Sequence, residues 1–411
     1  MSIKDIRLIC IDNIKILAHQ NTLTKCARVL LFFIRLTLSI PLIPISLLFL
    51  FSKYRYVNIF VDRIGHLAIE PDILIKSQLL GEIKNFTPIV LAPKYRVSNN
   101  HLLRYWKNYL VIIQNPIACL ILRSIFFWGI GEFSVSKFMR NIGSNQSGFA
   151  ISSRWGNRDP LLKASKEDEQ WLKESLDQLG LPEGSWFVCI HNREGGFSPI
   201  DEHIQHHRNC DIENMRGAIE EITLRGGWVI RLGDPTMKAF KNPPSNYIEY
   251  AHSKLKSERM DILLCAKAKF LLGNTSGIAL VASVFGTPCA LSNMTPISAL
   301  GIGKKDISIP KLYYSYDLKR ILTISELISM NLESCQYANF YDAKKISLIE
   351  NSNEEIRELA LEMFDNLGSF TNEADPLQEQ FKNLLSDQSY SHGSPANLAR
   401  VFLKKYIHLF K

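Results

Sequence analysis

The residues best suited to chemistry lie where apolar runs stop and small or charged residues begin. Phe270–Gly273 runs into Asn274-Thr275-Ser276-Gly277, and apolar residues at helical spacing follow from Ile278. A strand ending in small polar residues at a helix start leaves amide N–H groups unpaired, and these attract anions together with the helix dipole. Gly277 lets a phosphate approach the backbone, and Thr275 and Ser276 add hydroxyl donors. The plain alternative is a helix cap without a ligand. A second junction follows Trp186–Ile190, where the loop reads His191-Asn192-Arg193-Glu194-Gly195-Gly196-Phe197. An arginine at a strand end can grip a diphosphate through two parallel N–H···O contacts. Arg193, with His191, is therefore a candidate donor ligand, placed to stabilise charge on a departing nucleotide diphosphate. Glu194 is either an acid–base group or the ion-pair partner of such an arginine. A third junction, Trp228–Leu232 followed by Gly233-Asp234-Pro235, brings in Arg231 and Asp234. Asp234 either reads a ribose or sugar hydroxyl or makes the turn that Asp-Pro favours.

Between these junctions lie His203, His206 and His207, with Cys210 nearby. Their spacing fits no structural zinc pattern, so no metal site is expected. Arg208 and Asp211 are better candidates for hydrogen bonding in a cleft. Nearer the N-terminus, the strand Tyr56–Val61 ends in Asp62-Arg63-Ile64-Gly65-His66. A histidine at such a strand end can act as general base toward an acceptor hydroxyl, since its proton affinity lies near working pH. Asp62 or Glu70 can take that role instead, and a purely structural histidine is the competing reading.

The elements that position these groups alternate strand and helix. Thr87–Ala92 and Leu110–Ile113 read as further strands of an N-terminal unit. Ser165–Leu179 is helical in period, and Gly180-Leu181-Pro182-Glu183-Gly184 breaks the chain. Beyond it, Asp211 caps a helix running to Arg225, residues 247–250 form a short strand, Ser257 caps a helix through Ala268, and Cys289–Ser292 is a strand. Such alternation implies doubly wound parallel sheets, which bind ligands at the carboxyl ends of their strands. We expect a basic leader over 1–28, a hydrophobic segment over 29–55 and a Rossmann-like acceptor domain over 56–180. A Rossmann-like nucleotide domain over 181–335 and helices over 336–411, including Asn353–Leu367 and Ala396–Leu409, complete the chain.

Residues 1–155 carry 19 Lys and Arg against 7 Asp and Glu, whereas the rest carries 29 against 33. The basic half also holds the long apolar runs, so its expected partner is an anionic membrane surface. The acidic remainder offers no continuous track for nucleic acid. Val29–Phe51 is a 23-residue apolar run interrupted by Arg35, Pro41 and Pro44, with Lys25 and Arg28 before it and Lys53 and Arg55 after it. A single span and a monotopic anchor are both compatible with it. A second apolar stretch, Ile117–Ile130, follows Arg104, Trp106, Lys107 and Tyr109. The expected location is the cytoplasmic face of an inner membrane. The eight scattered cysteines read as small buried hydrophobes.

Residues 207–237, HRNCDIENMRGAIEEITLRGGWVIRLGDPTM, and residues 250–291, YAHSKLKSERMDILLCAKAKFLLGNTSGIALVASVFGTPCAL, resemble the signature of a family of bacterial glycosyltransferases. The resemblance covers roughly 56–300 and is tightest in 186–296. More distantly, His-Asn-Arg-Glu is similar to the His-x-Arg loop of protein O-fucosyltransferases. Gly-Asn-Thr-Ser-Gly followed by Phe-Gly-Thr-Pro is similar to the nucleotide loop of heptosyltransferases and nucleotide-sugar 2-epimerases. The resemblance implies a GT-B-like α/β fold, two Rossmann-like domains facing a cleft. It also implies a metal-independent, inverting transfer, without a cofactor, from a nucleotide-sugar donor to a glycan or lipid-linked acceptor. Arg193, Thr275 and Ser276 would hold the donor phosphates, and His66 would match the start of the acceptor domain. The loop here lacks the Gly-Asp that follows the arginine in many fucosyltransferases. The rival readings are a soluble 2-epimerase-like enzyme and a non-catalytic glycan- or lipid-binding subunit.

Overall fold

The computed structural model describes residues 22–135, 148–196, 202, 204–368, 375–385, 389 and 391–410. Two helices come first, α1 (Thr22–Ser39) and α2 (Ile43–Phe51). They meet at a 72° bend around residues 40–42, so the apolar run expected as one segment is two helices. Pro41 lies in the bend and Pro44 in the first turn of α2, where a missing N–H leaves no intrahelical bond unmade.

The N-terminal unit continues through β1 (Tyr54–Val57), α3 (Ile64–Leu79), β2 (Thr87–Leu91), α4 (Asn100–Tyr105), β3 (Val111–Ile113), α5 (Pro116–Ile125) and β4 (Glu132–Phe133). Its four strands are all parallel in the order β3-β2-β1-β4. Alternate strand residues serve opposite faces. Val57 and Val90 pack toward α3 and α4, while Tyr56, Ile89 and Leu91 pack toward α5. Helices α6 (Gly148–Trp155) and α7 (Lys166–Gln178) lead to the second unit, with Ser165 capping α7 by accepting from the Asp168 N–H.

The second unit runs β5 (Phe187–His191), α8 (Arg216–Leu224), β6 (Trp228–Arg231), β7 (Tyr247–Ile248), α9 (Glu258–Lys267), β8 (Leu271–Gly273), α10 (Gly277–Val284), β9 (Cys289–Met294) and β10 (Ile307–Pro310). An antiparallel sheet of β11 (Leu312–Ser315), β12 (Arg320–Ile321) and β13 (Ile346–Ile349) branches off, with α11 (Ile324–Ser329) and α12 (Ala338–Ala343) between its later strands. Helices α13 (Asn353–Gly368) and α14 (Pro376–Leu384), strand β14 (Asn397–Leu398) and helix α15 (Arg400–Lys405) close the chain. The main sheet is parallel throughout, ordered β14-β10-β9-β8-β5-β6-β7. Val188, Ile190, Leu272 and Ala290 face α8 and α13, whereas Cys189, Leu271 and Leu291 face α9 and α10.

Two expectations change. Ala396–Leu409, read as a helix, contributes edge strand β14 before α15, and residues 346–349 form a strand. The C-terminal helices are not a separate appendage: Ile356, Leu359, Met363, Phe381 and Phe402 share one core with the strands of the second sheet.

The two units are not separated by an open gap. One apolar core runs from Val57, Leu67 and Ala68 to Ala279, Val281 and Leu271. Within it α3 and α10 touch backbone to backbone. A Cβ on Gly65 would lie 2.8 Å from Gly277 Cα, and one on Gly277 would lie 2.9 Å from Gly65 N. Neither atom belongs to a movable side chain, so only glycine fits at both positions. Gly65→Ala and Gly277→Ala should each destabilise the protein by about 1–3 kcal/mol through overpacking, although alanine is the better helix former by about 1 kcal/mol. Urea unfolding followed by circular dichroism measures this. Unchanged midpoints would mean that the helices do not meet as described.

Candidate functional site

In each main sheet the chain leaves one strand in one direction and returns on that strand's other flank. The reversal lies between β5 and β8 in the second unit and between β1 and β4 in the first. Parallel sheets of this kind bind ligands at the carboxyl ends of the strands that flank such a reversal. The loops after β5 and β8 hold His191–Gly196 and Asn274–Ser276.

Asn274 staples these loops together. Fully buried, it accepts from the Arg193 N–H at 3.1 Å and donates to the Arg208 carbonyl at 2.8 Å. The Arg208 guanidinium donates to the Thr275 carbonyl and, at 2.8 Å, to Gln205 Oε1. Arg208 is therefore the arginine whose head reaches the β8 loop. Ser276 occupies the N-cap position of α10 in extended conformation, yet its hydroxyl caps nothing. Ser276 Oγ is buried and without a partner among the described residues. Gly277 opens the helix, and α10 has no acid in its first turn. Neither does α3, whose N-cap, Arg63, makes no side-chain cap. Two positive helix poles thus abut at Gly65 and Gly277 with no first-turn carboxylate to balance them, which favours an anion there.

Two histidines near these loops are held neutral. Burial, and then the Arg231 and Lys256 charges, push His191 down to about 4. Burial pushes His207 down to about 3, helped by Arg208, His206, Lys311 and Arg193. His191 Nδ1 and both ring nitrogens of His207 lack partners among the described residues. The His207 ring packs 5.2 Å from that of Tyr341. Lys311 is buried and donates to the Asn209 carbonyl at 2.6 Å, and desolvation lowers its proton affinity. No sequence signal marks Lys311, which lies in the apolar run Ile309-Pro310-Lys311-Leu312.

Across the glycine contact, His66 stands in the first turn of α3. Its side chain is 48% exposed, and its Nδ1 lies 2.8 Å from Glu70 Oε1, a carboxylate 2% exposed. Glu70 Oε2 also accepts from the Phe60 N–H at 3.0 Å, and the Phe60 ring leans on the imidazole at 5.1 Å. A carboxylate on Nδ1 fixes the tautomer that leaves Nε2 as a proton acceptor. The spacing i to i+4 on a helix makes this pair legible, but as a dyad rather than as the alternatives expected from sequence.

Several candidates are engaged in holding the scaffold. Arg231 is fully buried, so its expected donor contact gives way to internal pairing with Glu194 at 2.7 Å, Glu249 at 3.2 Å and the Lys238 carbonyl. Glu194, expected as an acid–base group, is held on both oxygens by Arg231, Asn192 and the Lys238 N–H. An arginine with no access to water needs such partners to offset its desolvation. Asp234 makes its turn by accepting from the Thr236 N–H at 2.9 Å. Asp211 accepts from the Glu213 N–H at 3.0 Å, capping a 3₁₀ turn before α8. Asp62 pairs with Arg96 at 3.0 Å on the surface. Among the described residues the Arg193 guanidinium turns toward Gln205, Asn209 and Glu202, while its backbone N–H meets the β8 loop. His203 lies outside the described residues. No cluster of three or more metal-binding side chains occurs among the described residues. A cavity of about 380 Å³ lies elsewhere, bounded by Tyr105, Tyr109 and residues 159–163.

No protein-family model and no curated protein matches the chain. Similar solved structures include a glycosyl transferase family 9 protein from Veillonella parvula DSM 2008, with TM-score 0.48 and 13% identity over 77% of this chain and 98% of that one. E. coli ADP-heptose LPS heptosyltransferase II matches with TM-score 0.42 and 12% identity, over 63% of this chain and 90% of that one. UDP-GlcNAc 2-epimerase from Methanocaldococcus jannaschii follows at TM-score 0.24 and 12% identity, over 66% and 70%. At such values the likeness is one of gross arrangement, and nothing about the site rests on it.

His207 gives a pH signature. The unfolded chain binds its proton near 6.5, the folded chain only near 3. Stability from this site is therefore complete above about pH 6.5 and declines as pH falls toward 3. His207→Phe should flatten the acid limb of stability against pH by up to about 1.4 kcal/mol per pH unit. Urea titrations between pH 4 and 7 test this, and parallel curves for the two proteins would refute it.

Proposed function

We propose that the chain is a glycosyltransferase that binds a nucleotide-diphosphate sugar at the β5–β8 reversal and passes the sugar to a hydroxyl of a glycan or lipid-linked acceptor. The observation that carries the reading is the meeting of two helix N-termini without side-chain caps, one from each unit, beside a buried serine hydroxyl that has no partner among the described residues. Such a place suits a diphosphate. The sugar-transfer part rests on the sequence resemblance over 186–296.

On this reading the α10 amides, Ser276 and Thr275 receive the diphosphate, and Arg208 supplies the cation at its edge. Asn274 positions the two loops, and neutral His191 offers a hydrogen bond without adding charge. These groups face the oxygens on which negative charge grows as the bond from sugar C1 to the diphosphate breaks. The acceptor hydroxyl gives its proton to His66 Nε2 as its oxygen attacks C1, and Glu70 holds the imidazole through Nδ1. A positive charge from arginine and helix poles at the leaving group makes a divalent ion dispensable.

The test is release of nucleoside diphosphate from a panel of UDP-, GDP- and ADP-sugars, with and without extracted envelope glycans and lipids. At least one donor should turn over. Arg208→Ala should weaken nucleoside-diphosphate binding by about 10- to 100-fold, the loss of one charged hydrogen bond. His66→Ala should lower turnover by about 10²- to 10⁴-fold and leave that binding unchanged. Glu70→Gln should fall between wild type and His66→Ala. A protein that binds no member of the panel would sink the proposal.

A further inference from the structure

The outermost layer of the N-terminal unit is apolar and uncovered. Helix α1 exposes consecutive apolar side chains from Val29 to Ile34, among them Leu30 and Phe33. Helix α2 exposes Leu48 at 67% and Phe51 at 90%, and α5 extends the surface with Ile117 and Ile121. A water-facing helix gathers its apolar residues on one stripe. Helix α1 carries them on every side from Val29 to Ile34, more than one full turn.

This layer is bound to the domain body. The Arg35 guanidinium donates to the Arg123 carbonyl at 3.2 Å and lies 5.7 Å from the Phe127 ring. The Ser46 hydroxyl donates to the Ile125 carbonyl, and the Phe49 ring meets Phe126 edge-on at 4.7 Å. Arg55 closes α2 by donating to the carbonyls of Phe49 at 2.5 Å and Ser52 at 2.8 Å. Both helices therefore rest on α5, which joins β3 to β4 and cannot leave the sheet. The arginine that interrupts the apolar run is turned inward and hydrogen-bonded there. Among the described residues no single helix is long and apolar enough to cross a membrane. The apolar part of α1, Cys26–Ser39, is about 21 Å long at 1.5 Å per residue, short of the ~30 Å hydrocarbon core.

Charge selects the occupant. Exposed Arg28 precedes the layer, and Lys53 and Arg55 follow it. Crossing would place these basic flanks on opposite sides of a membrane, whereas a chain that enters and returns keeps both on one side. The surrounding 155 residues, with 19 Lys and Arg against 7 Asp and Glu, complement an anionic surface.

We propose that α1, α2 and the outer side of α5 form a monotopic docking surface that inserts into one leaflet of an anionic bilayer without crossing it. This is independent of the nucleotide reading, because the surface lies on the opposite side of the first sheet from Gly65 and Gly277. The full chain, added to vesicles of phosphatidylcholine with phosphatidylglycerol, should float with them, and float less with phosphatidylcholine alone. Leu48→Glu with Phe51→Glu should lower flotation at least about tenfold, with circular dichroism and melting unchanged, because both side chains are already exposed. On vesicle-bound Ser52→Cys protein, an impermeant maleimide added outside should label both Cys26 and the new cysteine. Three results would overturn the proposal. They are wild-type protein that does not float, a double variant that floats as wild type, and outside labelling of only one of the two cysteines. A wild-type dimer that the double variant dissolves, without vesicle binding, would assign the face to a second copy instead.

Discussion

Two helices, one from each half of the chain, begin at the same point in space, and only hydrogen atoms separate their backbones there. Gly65 and Gly277 make this approach possible. It brings the carboxyl end of β1 beside that of β8 and lets the apolar faces of α3 and α10 merge into one core. It also sets two like-signed helix poles against each other. Such an arrangement is costly unless something negative sits nearby; the Glu70 carboxylate reaches back to the first turn of α3, and α10 has no acid in its first turn. Domain arrangement and the proposed anion affinity thus have one origin.

Around this point, polar residues divide into those that hold loops and those with bonding capacity left over. Buried Arg231 and the partly exposed Glu194 and Glu249 form an ionic cluster at the loops after β5 and β6. Removing one member would strand a charge in the interior, so these residues fix where the loops run. Asn274 does the same with neutral hydrogen bonds. Near the glycine contact, Ser276 Oγ and His191 Nδ1 have no partner among the described residues, the head of Arg208 sits on the Thr275 carbonyl, and the His66–Glu70 pair lies on the α3 side. The first sheet separates this set from the apolar layer of α1, α2 and α5, so ligand and lipid would meet different faces of the same unit.

The strands that carry the site were readable because strictly parallel, doubly covered strands are short apolar runs closed by glycine and polar residues. β5, β6, β8 and β9 begin and end within two residues of the expected positions. Less legible were β13 and β14, which are brief and follow helical patterns; tertiary pairing, not local propensity, makes Asn397–Leu398 a strand. Within the site, sequence located the loops but could not rank their charges. Arg193, Arg208 and Arg231 look equivalent in a string of letters, and their fates depend on which carboxylate or carbonyl folds within reach. Lys311 gave no signal at all, because it comes from the junction of β10 and β11, remote in sequence. Arg35 marks the converse case, a charge that argued against membrane insertion until its inward partner, the Arg123 carbonyl, was known.

Amide hydrogen exchange of the full chain, with and without saturating UDP, GDP or ADP, bears most directly on the account. Diphosphate bound beside the abutting helix tips should slow exchange together in peptides spanning 64–70 and 274–284 and leave the 105–109 and 159–163 segments unchanged. Protection confined to those latter segments, or none at 274–284 with any of the three nucleotides, would contradict it.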